Sequence, residues 1–479
     1  MFLFSTIGIN VVSSTMNVTD DFDPLVDLEI TVNILKIRSL EKKDPQVFTE
    51  EIIDEHSDPD FYMKVMINDQ EFTSPVYDNT KYVYEPDWTV TANVPDDTEF
   101  VDIRIQLWDQ ADNGDTQDRL CDISPDLDTY DVELTYSLAT GHWTGDDVVG
   151  DQSGYGRLNG CDDGTIYEPD LDCELWFEIS QNDEDGDGIP YWTEVTVYDT
   201  DPLTDDSLLD QDGDGIPTSW EWKWNYDPTT WENHSAIDPE IDGIDNYEEY
   251  LTSQWFSDPY RRDLFVELDQ MQDGPNGEQA RLPEGSKEIL YTAYDRQNVV
   301  YHLDDGSWGE GSGADMIPFD EYTECSWGGD VDELDQIYLD YFIKDAESAW
   351  RRGVFHYGVV IYQSSMVNGN MFGSNRYQVS ANGMEWKTQQ FPWLERDTVY
   401  ASAYMHEMGH TLNFRPIPGH NTFSYYPWQL GWWLSRPYKS CMNYGYMYYT
   451  VDYSDGSRPF GDYDDWERMD MTYFQRADW

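Results

Sequence analysis

The chain has 479 residues, room for two to four domains at ~150 residues each, and it carries 97 acidic against 27 basic side chains for a net charge of -70. Such a field repels a phosphate backbone and offers no polybasic patch to an anionic membrane, so nucleic acid and that mode of membrane adhesion are excluded as partners. With 39% hydrophobic and 15% aromatic residues, the chain can build cores and is no disordered acidic tail.

The opening MFLFSTIGINVVSS is apolar with small residues after it. It is similar to the core of a secretory signal that lacks a basic leader; the alternative is an apolar first strand. Residues 1–24 are therefore set apart, and nothing later reaches the ~20 apolar residues that cross a bilayer. Asn17-Val18-Thr19 and Asn233-His234-Ser235 fit the N-glycosylation pattern. The expected location is secreted or at the cell surface.

Residues 25–180 read as an all-β sandwich. The runs LEITVNILKI, FYMKVMI, FVDIRIQLW, YDVELTYSL and CELWFEI alternate in polarity between Asp, Gly and Pro turns. Ser57-Asp58-Pro59-Asp60-Phe61-Tyr62 followed by Trp108-Asp109-Gln110-Ala111-Asp112-Asn113-Gly114-Asp115 resembles a C2-like domain. The resemblance implies calcium held between two loops by Asp54, Asp58 or Asp60 and by Asp109, Asp112 and Asp115, with a calcium-dependent surface contact. The alternative is plain polar turns.

Residues 181–258 contain an internal repeat. The pattern D-x-D-x-D-G-x5-E occurs as Asp183, Asp185, Asp187, Gly188, Glu194 and again as Asp210, Asp212, Asp214, Gly215, Glu221. A third copy, Asp238, Glu240, Asp242, Gly243, Glu249, has Glu at its second ligand position. Alternate carboxylates can converge on one hard cation, the Gly allows the sharp turn, and the final Glu closes the shell with both oxygens. Pro190 and Pro217 inside the loops argue against paired helix–loop–helix calcium modules. The segment looks like thrombospondin type 3 repeats, which implies a calcium-bound rigid spacer.

From residue 259 to 479 strands and helices alternate, an α/β or α+β domain with α+β preferred. RRDLFVELD and GVFHYGVVIY read as strands. PEGSKEILYTAYDRQ, ELDQIYLDYFIKDAESAWRRG and TVYASAYMHEMGHTL read as helices. The last holds His406-Glu407-Met408-Gly409-His410. Two His one helical turn apart can reach one ion, and Glu407 between them can take a proton from water activated there. A zinc ion with three protein ligands leaves a fourth position open and lowers the pKa of water to roughly 7.

This helix together with Ser440-Cys441-Met442-Asn443-Tyr444 resembles the metzincin peptidases, whose pattern is HExxHxxGxxH with a downstream Met-turn. The resemblance implies Met442 as the apolar floor of the site and Tyr444 as a donor to the developing oxyanion. The sequence departs from that pattern: Asn413 stands for the Gly and Pro416 for the third ligand. Asn tolerates the left-handed conformation that ends a helix. Proline binds no metal, so the next donor is His420, the alternative being a carboxylate further on.

His356 reads as a core or edge residue, and His56, His142, His234 and His302 have no spaced partner. Five cysteines form no CxxC pair; Cys325 with Cys441, and Cys121 with Cys161 or Cys173, are the candidate disulfides. No GxSxG elbow or phosphate loop is present. The expectation is a secreted zinc endopeptidase acting on protein or peptide, with Zn2+ and Ca2+ as cofactors. The alternative is a calcium-stabilised extracellular adhesion protein whose peptidase-like domain is inactive.

Overall fold

The computed structural model describes residues 27–40, 58–111, 117–147, 154–163, 171–309, 311–325, 331–345, 348–365, 367–415, 417–458 and 461–475. The apolar leader, Asn17, Asp54, His56, Asp112, Asp115 and Pro416 lie outside them.

The alternating runs become strands because burying every second side chain is what a half-covered sheet requires. The first are β1 (Glu29–Ser39), β2 (Phe61–Ile67), β3 (Gln70–Thr73), β4 (Tyr82–Asn93) and β5 (Phe100–Asp109). After them come β6 (Arg119–Cys121), β7 (Val132–Ser137), β8 (Trp143–Gly145), β9 (Gly156–Asn159) and β10 (Cys173–Gln181). They form two antiparallel sheets, ordered β4-β1-β10-β9 and β3-β2-β5-β7-β8, with β6 on β5. Ile30, Val32, Ile34, Val65, Ile105, Leu175 and Phe177 fill the space between the sheets. The N-terminal region is a β-sandwich.

The repeat segment carries three short helices, α1 (Tyr191–Thr193), α2 (Thr218–Lys223) and α3 (Asn246–Thr252). It was expected to be a spacer, but it packs on both neighbours. Trp220 and Trp224 of the repeats join Tyr155 and Trp176 of the sandwich and Val300 of the C-terminal region in one buried cluster. Trp222 also donates its indole N–H to Thr140 O at 2.9 Å. Aromatic rings spaced along the acidic run have this apolar area to bury, and burying it against both neighbours brings the regions together.

In the C-terminal region the helices are α4 (Glu284–Asp295), α5 (Glu333–Ile337), α6 (Arg351–Val354), α7 (Ala381–Gln390), α8 (Arg396–Thr411), α9 (Leu430–Ser435) and α10 (Asp465–Arg468). The strands are β11 (Arg262–Met271), β12 (Val299–Asp304), β13 (Met316–Ile317), β14 (Phe355–Ile361), β15 (Gly369–Gly373) and β16 (Arg376–Ser380). The sheet runs β12-β11-β14-β16-β15, with β13 on β11; only β15 is antiparallel to its neighbour. A mostly parallel sheet interleaved with helices is the α/β arrangement rather than the preferred α+β. The run at 333–353 does not form one helix. It loosens into a π turn over Tyr338–Ile343 and stops at Lys344, whose φ is 53°.

All five cysteines are buried and none is in a disulfide. Cys325 Sγ lies 3.0 Å from Ser364 Oγ rather than near Cys441, and the candidate disulfides are absent. Among the described residues no helix is long and apolar enough to cross a membrane.

Sandwich and C-terminal region are joined through buried charge. Arg157 on β9 pairs with Glu174 and, at 3.3 Å, with Asp295 at the end of α4; its Nη1 donates to Asn298 at 2.6 Å. Burial alone would push the Glu174 carboxyl up, but Arg157 and Lys36 beside it hold it down, to about 2. Removing one partner of such a network leaves the others buried and uncompensated. Arg157→Ala is therefore expected to cost about 3–5 kcal/mol of stability; a loss under ~1 kcal/mol in denaturant unfolding would contradict that account.

Candidate functional site

Helix α8 lies across the sheet beside β15 and β16 and is buried from Val399 to Gly409. Beyond Arg396 and Asp397 in its first turn, it can be buried because its residues are almost all apolar or small, apart from the two His and Glu407. Its end is set by Asn413, whose φ of 62° is the left-handed conformation expected of it, and Asn413 Nδ2 donates to Asp470 at 3.3 Å.

The loop around Cys441 packs under this helix. A Cβ on Gly409 would fall 2.5 Å from Met442 Sδ, so helix and methionine are in close contact there. His406 Nδ1 donates to Cys441 O at 2.8 Å. That bond fixes the tautomer and leaves a lone pair on Nε2.

The third imidazole arrives by way of Asn443. Its Nδ2 donates to Ser435 O at 3.0 Å and Tyr438 O at 2.8 Å, which ties the turn together. Gly419, at φ 75°, lies so close to Asn443 Oδ1 that a Cβ would collide with it. The next residue, His420, is thereby carried back to the helix, and its Nε2 lies 3.2 Å from His406 Nε2. Ligand nitrogens of His406, His410 and His420 all fall within 4.8 Å of one another.

A tetrahedral ion with ~2.0–2.1 Å bonds to nitrogen needs its donors ~3.3 Å apart, so the donor set and spacing fit zinc. Burial lowers the pKa of all three imidazoles, His406 to about 3, which keeps them neutral and able to bind a metal. Glu407 is 4% exposed, and burial pushes its carboxyl up to about 8. Gly369 of the edge strand β15 passes directly over it; a Cβ there would meet Glu407 Oε1 at 2.4 Å. The Tyr444 ring stands 4.2 Å from that of His420 and 5.7 Å from that of His406, with Tyr425 stacked on it at 4.8 Å.

The three acidic loops share one backbone. The Asp183 carboxylate accepts from Gly186 N and Gly188 N, both at 2.8 Å, and Asp210 repeats this with Gly213 and Gly215 at 2.7 and 3.0 Å. Asp238 does the same with Ile241 and Gly243. Pro190 and Pro217 stand just before α1 and α2, so each loop leads straight into the helix or helical turn that bears its final Glu.

Asp183, Asp185 and Asp187 converge, as do Asp210, Asp212 and Asp214. Glu194 meets Asp187 together with Asp206, a residue the repeat pattern did not pick out. Glu221 meets Asp214 together with His234, which has a partner after all. In the third loop Asp242 Oδ2 accepts from Asp263 N at 2.6 Å, and Glu249 takes the Ser257 hydroxyl. Burial, then the charges of Asp263 and Asp242, drive the Glu249 carboxyl well above its ordinary range. Burial and Asp242 take Glu240 up to about 11, and burial with Asp187 takes Glu194 to about 8. Both oxygens of Glu221 and of Glu240 are buried without a hydrogen bond. Crowded carboxylates that lack hydrogen bonds in this way fit a hard divalent cation.

In the sandwich, Asp60 N donates to Asp109 Oδ1 at 2.9 Å, which brings the two predicted loops together, while Asp58 is exposed. His302 Nε2 is 2.7 Å from Asp263 Oδ1, His142 meets Trp222 O at 2.8 Å, and His356 is a core residue against Thr411.

No family model matches the chain, and no curated protein matches it. It is similar to a human GIVD cytosolic phospholipase A2 in complex with methyl gamma-linolenyl fluorophosphonate, at 13% identity and TM-score 0.20 over 33% of this chain and 17% of that one. It is also similar to a C2 domain (11%, TM-score 0.20, 32% of this chain and 98% of that one). A C2 domain-containing protein from a putative elicitor-responsive gene matches at 15% identity and TM-score 0.18 over 32% of this chain and 86% of that one.

Ile241 stands where the first two loops have glycine, at φ 60° and 72% exposed. A left-handed residue with a Cβ costs ~1–2 kcal/mol. Ile241→Gly is expected to raise stability by about 1 kcal/mol, after the entropy cost of glycine; an unchanged or lower unfolding midpoint would refute the strain.

Proposed function

We propose that the protein is a secreted zinc endopeptidase of the metzincin kind, held together by calcium in its acidic loops. The observation that carries the reading is the meeting of His406, His410 and His420 over Met442 with Glu407 alongside. Zinc bound there supplies a Lewis acid that polarises a carbonyl and acidifies water.

The chain's own groups do the rest. Glu407, in a water-poor setting, takes the proton of the attacking water and returns it to the leaving amine. Tyr444, whose ring lies against those of His420 and Tyr425, would donate its hydroxyl to the oxyanion. Strand β15 is the edge of its sheet, so an extended polypeptide can add to it as a further strand. Gly369 of this strand lies against Glu407, so a chain added to β15 runs close to the carboxylate. A peptide lying there is the substrate class this arrangement favours.

Calcium in the loops offsets carboxylates that otherwise repel one another, and it is plentiful outside cells. The sandwich loops at Asp60 and Asp109 are read as a further calcium-dependent contact surface.

Glu407→Gln should abolish cleavage of a denatured protein while the bound zinc remains; turnover within tenfold of the parent would remove Glu407 as the base. Chelating calcium should open residues 181–250 to limited proteolysis. Equal protection with and without calcium would mean that the loops hold no structural ion.

A further inference from the structure

The three acidic loops do not offer the same atoms. The first gathers oxygen alone, from Asp183, Asp185, Asp187, Glu194 and Asp206. The second has an imidazole where the first has Asp206. His234 Nε2 lies 3.2 Å from Asp214 Oδ2 and 3.5 Å from Glu221 Oε1. His234 is 3% exposed and Glu221 wholly buried, yet neither this nitrogen nor either Glu221 oxygen has a hydrogen-bond partner.

We propose that the second loop is a mixed nitrogen–oxygen site for a zinc-class divalent ion, with His234, Glu221 and Asp214 as its central ligands and Asp210 and Asp212 at its rim. Calcium takes oxygen donors, whereas imidazole suits zinc and its neighbours among the transition metals. Asn246 lies beside the other ring nitrogen, 3.1 Å from Nδ1, and its own Oδ1 is buried without a partner. Turning this amide over exchanges its oxygen and nitrogen. Oδ1 then accepts from Nδ1–H and directs the Nε2 lone pair at the two carboxylates, the arrangement metal-bound histidines adopt. Trp220 and Tyr226 stand edge-on to the imidazole, at 6.1 and 5.2 Å, and hold it in this plane.

The inference rests on reading the loops as cation sites and is independent of the peptidase assignment. Its test is a cobalt(II) titration of the full chain in saturating calcium, with bound metal counted after desalting. The parent should hold one cobalt ion in this loop, and a second where the histidine site of α8 also takes the metal. His234→Asp, which gives the loop the oxygen donor of the first repeat, should lose one and gain one calcium. His406→Ala should lose the other. His234→Gln should lose one cobalt without gaining calcium; near-UV circular dichroism like the parent's would show that both His234 variants are folded. The parent's cobalt count retained in folded His234→Asp, or all three loops of the parent filled by calcium, would overturn the proposal and leave the loop reading standing. Loops that take up neither ion would overturn both.

Discussion

One hydrogen bond organises the histidine site of the C-terminal region: the imidazole N–H of His406 to the carbonyl of Cys441. It joins a helix to a loop distant in sequence, decides which ring nitrogen keeps its lone pair, and brings Met442 against Gly409. Once that loop is seated, Asn443 anchors the return of Gly419, and Tyr444 becomes the wall behind His420. Third imidazole, methionine floor and tyrosine wall all descend from the same contact. Neutral imidazoles are a consequence as well, because the packing that aligns them also excludes the water that would stabilise their charged form.

The acidic repeats follow the opposite logic. There the chain gathers groups that repel, and it does so in series. Each loop is closed from outside its own repeat: Asp206 and His234 come from the stretches that lead into the following loop, and Asp263 meets the third from the start of β11. A cation in one site would therefore order the approach to the next. The third loop reaches into the C-terminal sheet, where Asp263 is also bound by His302. The Trp and Tyr residues between the acidic runs contribute the apolar contact that charge alone cannot supply.

Strand and helix periodicity were legible where one face of an element is buried and the other is not, as in β1, β5 and α4. The strands at β4 and β12 were missed, the first because Pro86 and charged side chains interrupt its pattern; β12 is as fully buried as β14, which was read, and nothing in its burial explains the difference. The helix expected over 333–353 failed at Lys344, a positive-φ residue that nothing in its local composition marks.

By itself the sequence determined the chemistry available: two histidines one helical turn apart, a glutamate between them, a methionine turn, and carboxylates in alternate positions. These are local relations, set by the 3.6-residue turn of a helix and by the tight turn a glycine permits. What only the tertiary structure decided was which distant residue completes each cluster. The sequence offered His420 as the next donor with a later carboxylate as the alternative, and the course of the loop past Asn443 decided between them; Asp206, His234 and Asp263 have no distinguishing spacing, because they reach their partners through segments whose course depends on the aromatic cluster and β11. Spacing along a chain records contacts within one element, and these contacts lie between elements.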